Sequence, residues 1–228
     1  MSKVTVVSSG KMLGYVYLFQ GRQFEQGIAE LQQSVRLAPN NAEVYFALAE
    51  GLNLAGRPAE ALESIHKAMR LNPHYPVGYP MNLGWAYQKT GQYAEAIAAE
   101  KDAMSRNPNF LPAYTILAFS SRLQWLSQQS PAAQTLEEAV AVVQRALAIN
   151  DSYRVSHLVL GYLHLSQQQY ERALAEMERA VALAPTMAES NAALAEGLSD
   201  MGRTEEALEA AAQALRLKPE VADDGQVP

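Results

Sequence analysis

Prolines recur along this chain at a nearly constant interval, and a fixed period constrains a fold more tightly than any composition does. Pro39, Pro73, Pro108, Pro185 and Pro219 each close a stretch ending in a pattern like Arg-Leu-x-Pro. Their spacings are 34, 35, 77 and 34 residues, and the 77 divides into 43 and 34 once Asp151 stands in a proline's place. The stretches between them then align. Leucine recurs at Leu13, Leu48, Leu83, Leu117, Leu160 and Leu194, each followed by a small residue: Gly14, Ala49, Gly84, Ala118, Gly161 and Ala195. Further on, Ala61, Ala96, Ala139, Ala173 and Ala207 fall in register, with Gly27 in the first copy. Seven residues later stand Ser34, Ala68, Ala103, Ala146, Ala180 and Ala214.

Each copy reads as two helices joined by a turn. Gly21, Gly56, Gly91 and Gly202 sit at four of the inner turns, where a left-handed C-cap ends the first helix. Proline closes the second helix because it has no donor for a continuing ladder. The small residues mark places where two helices approach closely, and this explains why 38 of the 228 residues are alanine. Helices are expected to begin near residues 9, 23, 42, 58, 80, 93, 111, 133, 154, 170, 188 and 204. The organisation that follows is an N-terminal extension over 1–6, an array over 7–219 and a flexible tail over 222–228. The units span about 7–41, 42–76, 77–110, 111–153, 154–187 and 188–221.

The segment Leu83-Gly84-Trp85-Ala86-Tyr87, followed by Ala96, Ala103 and Pro108, resembles the tetratricopeptide repeat, as do its five counterparts. That family's pattern is W-x2-L-G-x2-Y, then A-x3-F, then P, at a period of 34. The resemblance implies an all-α fold, a right-handed α-solenoid of six antiparallel helix pairs, whose first helices line a concave face. Units two to four are also similar to repeat arrays attached to bacterial signalling proteins, including adenylyl cyclases. That likeness rests on Ala49 to Pro58, Met69 to Pro76 and Arg106 to Pro112.

Departures from the pattern carry their own expectations. Pro80 stands where the pattern has a bulky aromatic, after His74-Tyr75-Pro76-Val77-Gly78-Tyr79, so the fifth helix is expected to start late, behind a stiff extended linker. This reads either as a tolerated shortened helix or as a bend that shapes the concave face. In the fourth unit about nine extra residues fall between Ala118 and Ala139, lengthening the first helix before it loops out. Trp125 and Leu126 there are either a neutral protrusion or a second contact patch. The last helix, with Ala210, Ala211, Ala212 and Ala214, is expected to leave little apolar area uncovered.

The chemistry available is narrow. Cysteine is absent, so disulfides, thiolate nucleophiles and Cys-type zinc or iron–sulfur sites are excluded. The net charge of −6 argues against nucleic acid, which needs a basic footprint. No phosphate-binding glycine loop, nucleophile elbow or H-E-x-x-H motif occurs, and no catalytic, metal or cofactor residues are expected. His157 and His164 lie seven residues apart on one helix, about 10 Å, too far for one metal ion, and read as satisfied core histidines. Glu137-Glu138 and Glu205-Glu206 read as carboxylates in the first turns of second helices. No apolar run approaches the roughly 18 residues a membrane span needs, and the N-terminus lacks a signal-peptide apolar core. A soluble, cytoplasmic protein is the expectation.

By 100° steps along each first helix, the residues facing away from the packed side include Tyr15, Phe19, Phe46, Glu50, Asn53, Met81, Asn82, Trp85, Lys89, Phe119, Arg122 and Tyr162. Such a stripe is often core, but the core positions are already filled by the recurring Leu, Ala and Tyr, which leaves either an apolar groove or packing within the array. In the groove reading Tyr15, Phe46, Trp85, Phe119 and Tyr162 anchor a protein or peptide ligand. Asn53, Asn82, Lys89 and Arg122 fix its register. One family subtype clamps a C-terminal carboxylate with Lys and Asn on successive first helices. This chain has Lys11 but Tyr15, Ala47 and Thr115 where that set would continue, so the clamp is not expected. The rival readings are a docking module of a signalling system and a self-assembling scaffold. In the latter the strand-like Val4-Thr5-Val6-Val7 enters a neighbour's groove, and a homo-oligomer results.

Overall fold

The computed structural model describes residues 3–19, 23–130 and 132–217. Among the described residues the regular elements are twelve α-helices and no strand: α1 (Lys3–Phe19), α2 (Phe24–Leu37), α3 (Ala42–Leu54), α4 (Pro58–Leu71), α5 (Gly78–Lys89), α6 (Tyr93–Arg106), α7 (Leu111–Leu126), α8 (Ala133–Ile149), α9 (Arg154–Ser166), α10 (Tyr170–Leu183), α11 (Ala188–Asp200) and α12 (Thr204–Leu217). They form two compact bodies, residues 1–124 and 125–228. In the first, α1 packs on α2, α3 on α4 and α5 on α6, and the pairs join through α2 with α3 and α4 with α5. In the second, α9 packs on α10 and α11 on α12, joined through α8 with α9 and α10 with α11.

Ten of the twelve helix starts fall within a residue of the sequence expectation, and the two exceptions have physical reasons. α1 begins at Lys3, so Val4 to Val7 is helical, which removes the strand proposed to enter a neighbour's groove. Its β-branched residues prefer strands only weakly, and packing overrides that preference, with Val7 6% exposed. α5 begins at Gly78, not behind Pro80. A proline in the first turn costs no hydrogen bond, because the first four N–H groups have no intrahelical partner anyway. Tyr79 and Pro80 are buried there, and the Tyr79 amide donates to the Pro76 carbonyl at 3.1 Å.

The small residues lie where the helices meet. Ala61, Ala68, Ala96, Ala103, Ala146, Ala173 and Ala180 are all fully buried. Between α1 and α2 the approach is closer still: a Cβ on Gly27 would lie 3.0 Å from the Gly14 carbonyl oxygen and 2.8 Å from Leu18 Cγ. The inner turns at Gly56, Gly91 and Gly202 take φ of +74°, +76° and +73°, the left-handed caps expected of them. Gly21 lies outside the described residues, and in the fifth repeat Gln168 adopts φ +59° at the same place. At the outer turns Asn72, Asn107 and Asn150 each accept the amide two residues on, at 3.2, 3.0 and 2.9 Å. That shared Asn turn explains how Asp151 can replace a proline without losing the stop.

α7 has 16 residues and α8 has 17, so part of the insertion lengthens the helices and the rest forms the turn before Ala133. Because α8 starts at Ala133, Glu137 and Glu138 lie in its second turn rather than its first, whereas Glu205 and Glu206 do open α12.

The joint between consecutive pairs repeats as well. Four residues after the recurring Ala of the second helix stand Leu31, Ile65, Glu100, Val143 and Met177, each fully buried. Three residues after the recurring Leu of the following helix stand Gly51, Ala86, Ser120, Leu163 and Gly197, also buried. A Cβ on Gly51 would touch Leu31 Cδ1 at 3.5 Å, and one on Gly197 would press Met177 Sδ at 2.8 Å. The terminal helices break the rule. On α12 Leu208 is 66% and Leu215 71% exposed, so alanine does not remove the apolar face as its sequence suggested. On α1 Met12 is 71% exposed and Leu13 and Val16 are 40% exposed.

Candidate partner-binding surface

The residues selected by the helical steps come out half-buried on the first helices of the N-terminal body. Tyr15, Phe46, Glu50, Met81, Trp85, Phe119 and Arg122 are all intermediate in exposure, while Phe19 and Lys89 are exposed. Three hydrogen-bonded rungs tie these helices together. Tyr15 Oη donates to Glu50 Oε2 at 2.6 Å between α1 and α3. Asn53 Nδ2 donates to the side chain and backbone of Asn82, at 2.7 and 3.1 Å, between α3 and α5. Gln88 Nε2 donates to Ser120 Oγ at 2.9 Å, from α5 to α7.

These rungs sort the expected site residues. Asn53 and Asn82 are 6% and 2% exposed and paired with each other, so they lock α3 to α5 instead of offering donors to a ligand's backbone. Phe46 lies against Tyr79, rings stacked at 4.5 Å and 5°, and Tyr79 is stacked in turn on Tyr75 at 5.8 Å. Arg106 covers Tyr75 at 3.9 Å and is anchored by Asp102 at 2.9 Å. That aromatic column belongs to the joint between the second and third repeats. Tyr15 leans on Phe19, centroids 5.8 Å apart.

Met81, Trp85 and Lys89 follow one another down α5 at four-residue steps, the first two half-buried and Lys89 exposed, and Phe119 and Arg122 on α7 are half-buried. The Gln88–Ser120 bond sets α7 beside α5, and the Arg122 guanidinium lies 5.8 Å from the Phe119 ring centroid. In the C-terminal body Tyr162 packs among Leu158, Leu165 and Leu194. Trp125 is half-buried and Leu126 48% exposed at the end of α7.

The electrostatics of this face follow from burial. Desolvation raises the Tyr15 hydroxyl well above its ordinary range, and its bond to Glu50 adds to the shift. Glu50 is itself raised, chiefly by burial, against the opposing pull of Tyr15. Tyr79 is raised by burial and by Glu43, which accepts its hydroxyl at 3.1 Å.

Comparison with known proteins matches the helical-repeat fold. A family model described as tetratricopeptide repeat matches residues 11–76 and 132–188, and a second of the same description matches 81–110 and 188–221. The chain belongs to the tetratricopeptide repeat family. No curated protein gives a significant match. A thermophilic tetratricopeptide repeat protein of Thermus thermophilus is 28% identical, with a TM-score of 0.72 over 80% of this chain and 94% of that one. PilW, a type IV pilus biogenesis factor, is 18% identical with a TM-score of 0.72 over 92% and 93%. PilF of Pseudomonas aeruginosa is 19% identical with a TM-score of 0.66 over 96% and 94%. The last two share the fold.

Among the described residues no three His, Asp or Glu side chains could hold a metal ion, and no helix is long and apolar enough to cross a membrane. His157 is held at both nitrogens, by Glu176 at 2.6 Å and the Asp151 carbonyl at 2.7 Å. His164 is buried with Nδ1 unpartnered among the described residues, and burial lowers its pKa. A recess of about 680 Å³ between the start of α1 and the Leu37–Ala42 turn lies away from the aromatic stripe.

Sequence reasoning passed over Gln88, Ser120 and Glu100. The carboxyl of Glu100 is fully buried, neither oxygen has a hydrogen-bond partner among the described residues, and burial pushes its pKa up to about 9. The signal was present in the alignment: this is the one acidic residue at a position filled elsewhere by Leu31, Ile65, Val143, Met177 and Ala211.

Proposed function

We propose that the α5–α7 face of this protein-interaction scaffold grips a partner segment that presents apolar side chains beside acidic ones. The reading is supported by one observation above all: Met81 and Trp85 on α5 are large and only half-buried, as is Phe119 on α7, and Lys89 and Arg122 stand on the same two helices. Aromatic anchors of this kind carry most of the energy in protein interfaces, and Arg is enriched there. Tyr15, Phe19 and Glu50 extend the surface along the first body, and the Asn53–Asn82 rung keeps it rigid, which reduces the ordering cost of binding. Tyr162, Trp125 and Leu126 lie in the second body and form no part of this surface.

A peptide selected on the wild-type protein from a display library supplies the probe. Trp85→Ala is expected to weaken it by at least about fivefold, equivalent to roughly 1 kcal/mol, with little change in melting temperature. Unchanged affinity by calorimetry removes the assignment. The likeness of units two to four to arrays on bacterial signalling proteins gives the same face a second use, docking onto such a protein. That use is tested by whether a cyclase-type catalytic chain competes with the selected peptide.

A further inference from the structure

Two joints between consecutive repeats are bridged by a long side chain at the same place. Where the second repeat meets the third, Tyr79 of α5 is fully buried with its ring stacked on Phe46. Its hydroxyl donates to Glu43 at the start of α3, and Asn72, which closes α4, is the hydroxyl's other neighbour. Where the fifth repeat meets the sixth, the bridge comes from the opposite side: Arg154 at the start of α9 donates to buried Ser190 of α11 at 3.2 Å. Tyr79 and Ser190 both stand four residues before the recurring Leu of their helix.

Where the first repeat meets the second, the residues at these places are all shorter. Val44 stands for Tyr79, Ser8 for Glu43, Ala38 for Asn72 and Val7 for Arg154. A recess of about 680 Å³ opens there, and Val7, Ser8 and Ala38 all line it. It therefore lies where the hydroxyl end of Tyr79 lies one repeat further on. Its volume falls within the range of small-ligand sites. Leu37 and Pro39 complete the apolar walls with Val7 and Ala38, while exposed Ser8 and Asn40 bring a hydroxyl and an amide to the rim. Apolar walls beside a polar rim suit a group with a flat apolar body and one polar end.

We propose that this recess is a binding site for a phenol ring, the tyrosine side chain of a partner segment. The ring lies against the walls with its hydroxyl at Ser8, as the Tyr79 hydroxyl lies at Glu43. The site is independent of the α5–α7 face, because no residue of α5 or α7 lines it.

Amide NMR spectra of the isotopically labelled intact chain test this, with N-acetyl-tyrosinamide as the probe. Saturable shifts are expected at Val7, Ser8, Ala38 and Asn40. The phenylalanine counterpart of the probe is expected to bind at least about fivefold more weakly, since it leaves the rim without its hydrogen bond. Val44→Tyr fills the recess from the core, and Ala38→Leu fills it from a half-buried turn position that leaves the core intact; each is expected to weaken the probe at least about tenfold. Trp85→Ala is expected to change nothing. A wild type without saturable shifts overturns the proposal, and is the result that residues 1–2 lying in the recess would give. Equal affinity for the two probes overturns it too, since the recess would then be a plain apolar hollow. So does an Ala38→Leu variant that binds as the wild type does, and so does loss of the shifts in Trp85→Ala, which would place the probe on α5.

Discussion

In the third repeat Gly84 of α5 faces Glu100 of α6, and in the fifth Gly161 of α9 faces Met177 of α10. Both glycines are required for the same reason. A Cβ at Gly161 would come 2.9 Å from Met177 Cγ, and one at Gly84 would run into the Glu100 carboxyl, with Cδ at 2.9 Å. The repeat thus specifies the size and reach of the second-helix side chain. It leaves the polarity open. Methionine meets the demand with an adaptable apolar thioether. Glutamate meets it only as the neutral acid, because an ionised carboxylate with no partner in that place would cost far more than the packing returns.

The comparison is broken most strongly by exchanging the two chemistries. Met177→Glu places an unpartnered acid in the fifth repeat and is expected to destabilise by about 4 kcal/mol at pH 7, read from urea unfolding. The converse, Glu100→Leu, is expected to stabilise by about 3 kcal/mol at pH 7. The unfolded chain ionises Glu100 near its ordinary 4.5, while the folded chain holds the proton up to about 9. Folded molecules therefore bind the extra proton between those values, and the wild type loses stability as pH rises from 4.5 to about 9, then levels. Melting temperatures of wild type and Glu100→Leu should converge near the acid end of that window and separate steadily above it; parallel curves would mean that Glu100 is solvated.

A smaller contrast sits in the inner turns, where the third repeat has Gly91 at φ +76° and the fifth has Gln168 at φ +59°. Gln168→Gly is expected to stabilise by about 1 kcal/mol, since a left-handed side chain costs roughly that much, and Gly91→Gln to lose a similar amount. Equal melting temperatures for the Gln168 pair would show that the fifth turn carries no strain.

The α5–α7 face was only partly legible from sequence. Helical steps put Met81, Trp85 and Lys89 on one side of α5, because angular position on a helix follows from numbering alone. The same steps also delivered Asn53 and Asn82, which face each other across neighbouring first helices, where Asn53 Nδ2 donates to Asn82 while Asn53 Oδ1 has no partner among the described residues. Residue type could not separate the two cases, since an asparagine that binds a ligand and one that bridges helices look alike in one dimension. Phe46 was similar: the steps grouped its ring with the groove residues, but the ring stacks on Tyr79, which depends on where α5 begins.

The period of the prolines, the buried alanines and the glycine caps are repeated local signals, and with them the sequence alone determined a chain of helix pairs with most helix starts in place. Each needs only a helix's own geometry or its contact with the partner helix of the same repeat. What only the tertiary structure decided is solvation. The neutral Glu100, the Asn53–Asn82 rung 29 residues apart, and the bare faces of Val16 and Leu215 all depend on which neighbour covers a side chain. A polar group's charge and an apolar group's worth are set by that covering, and no period records it.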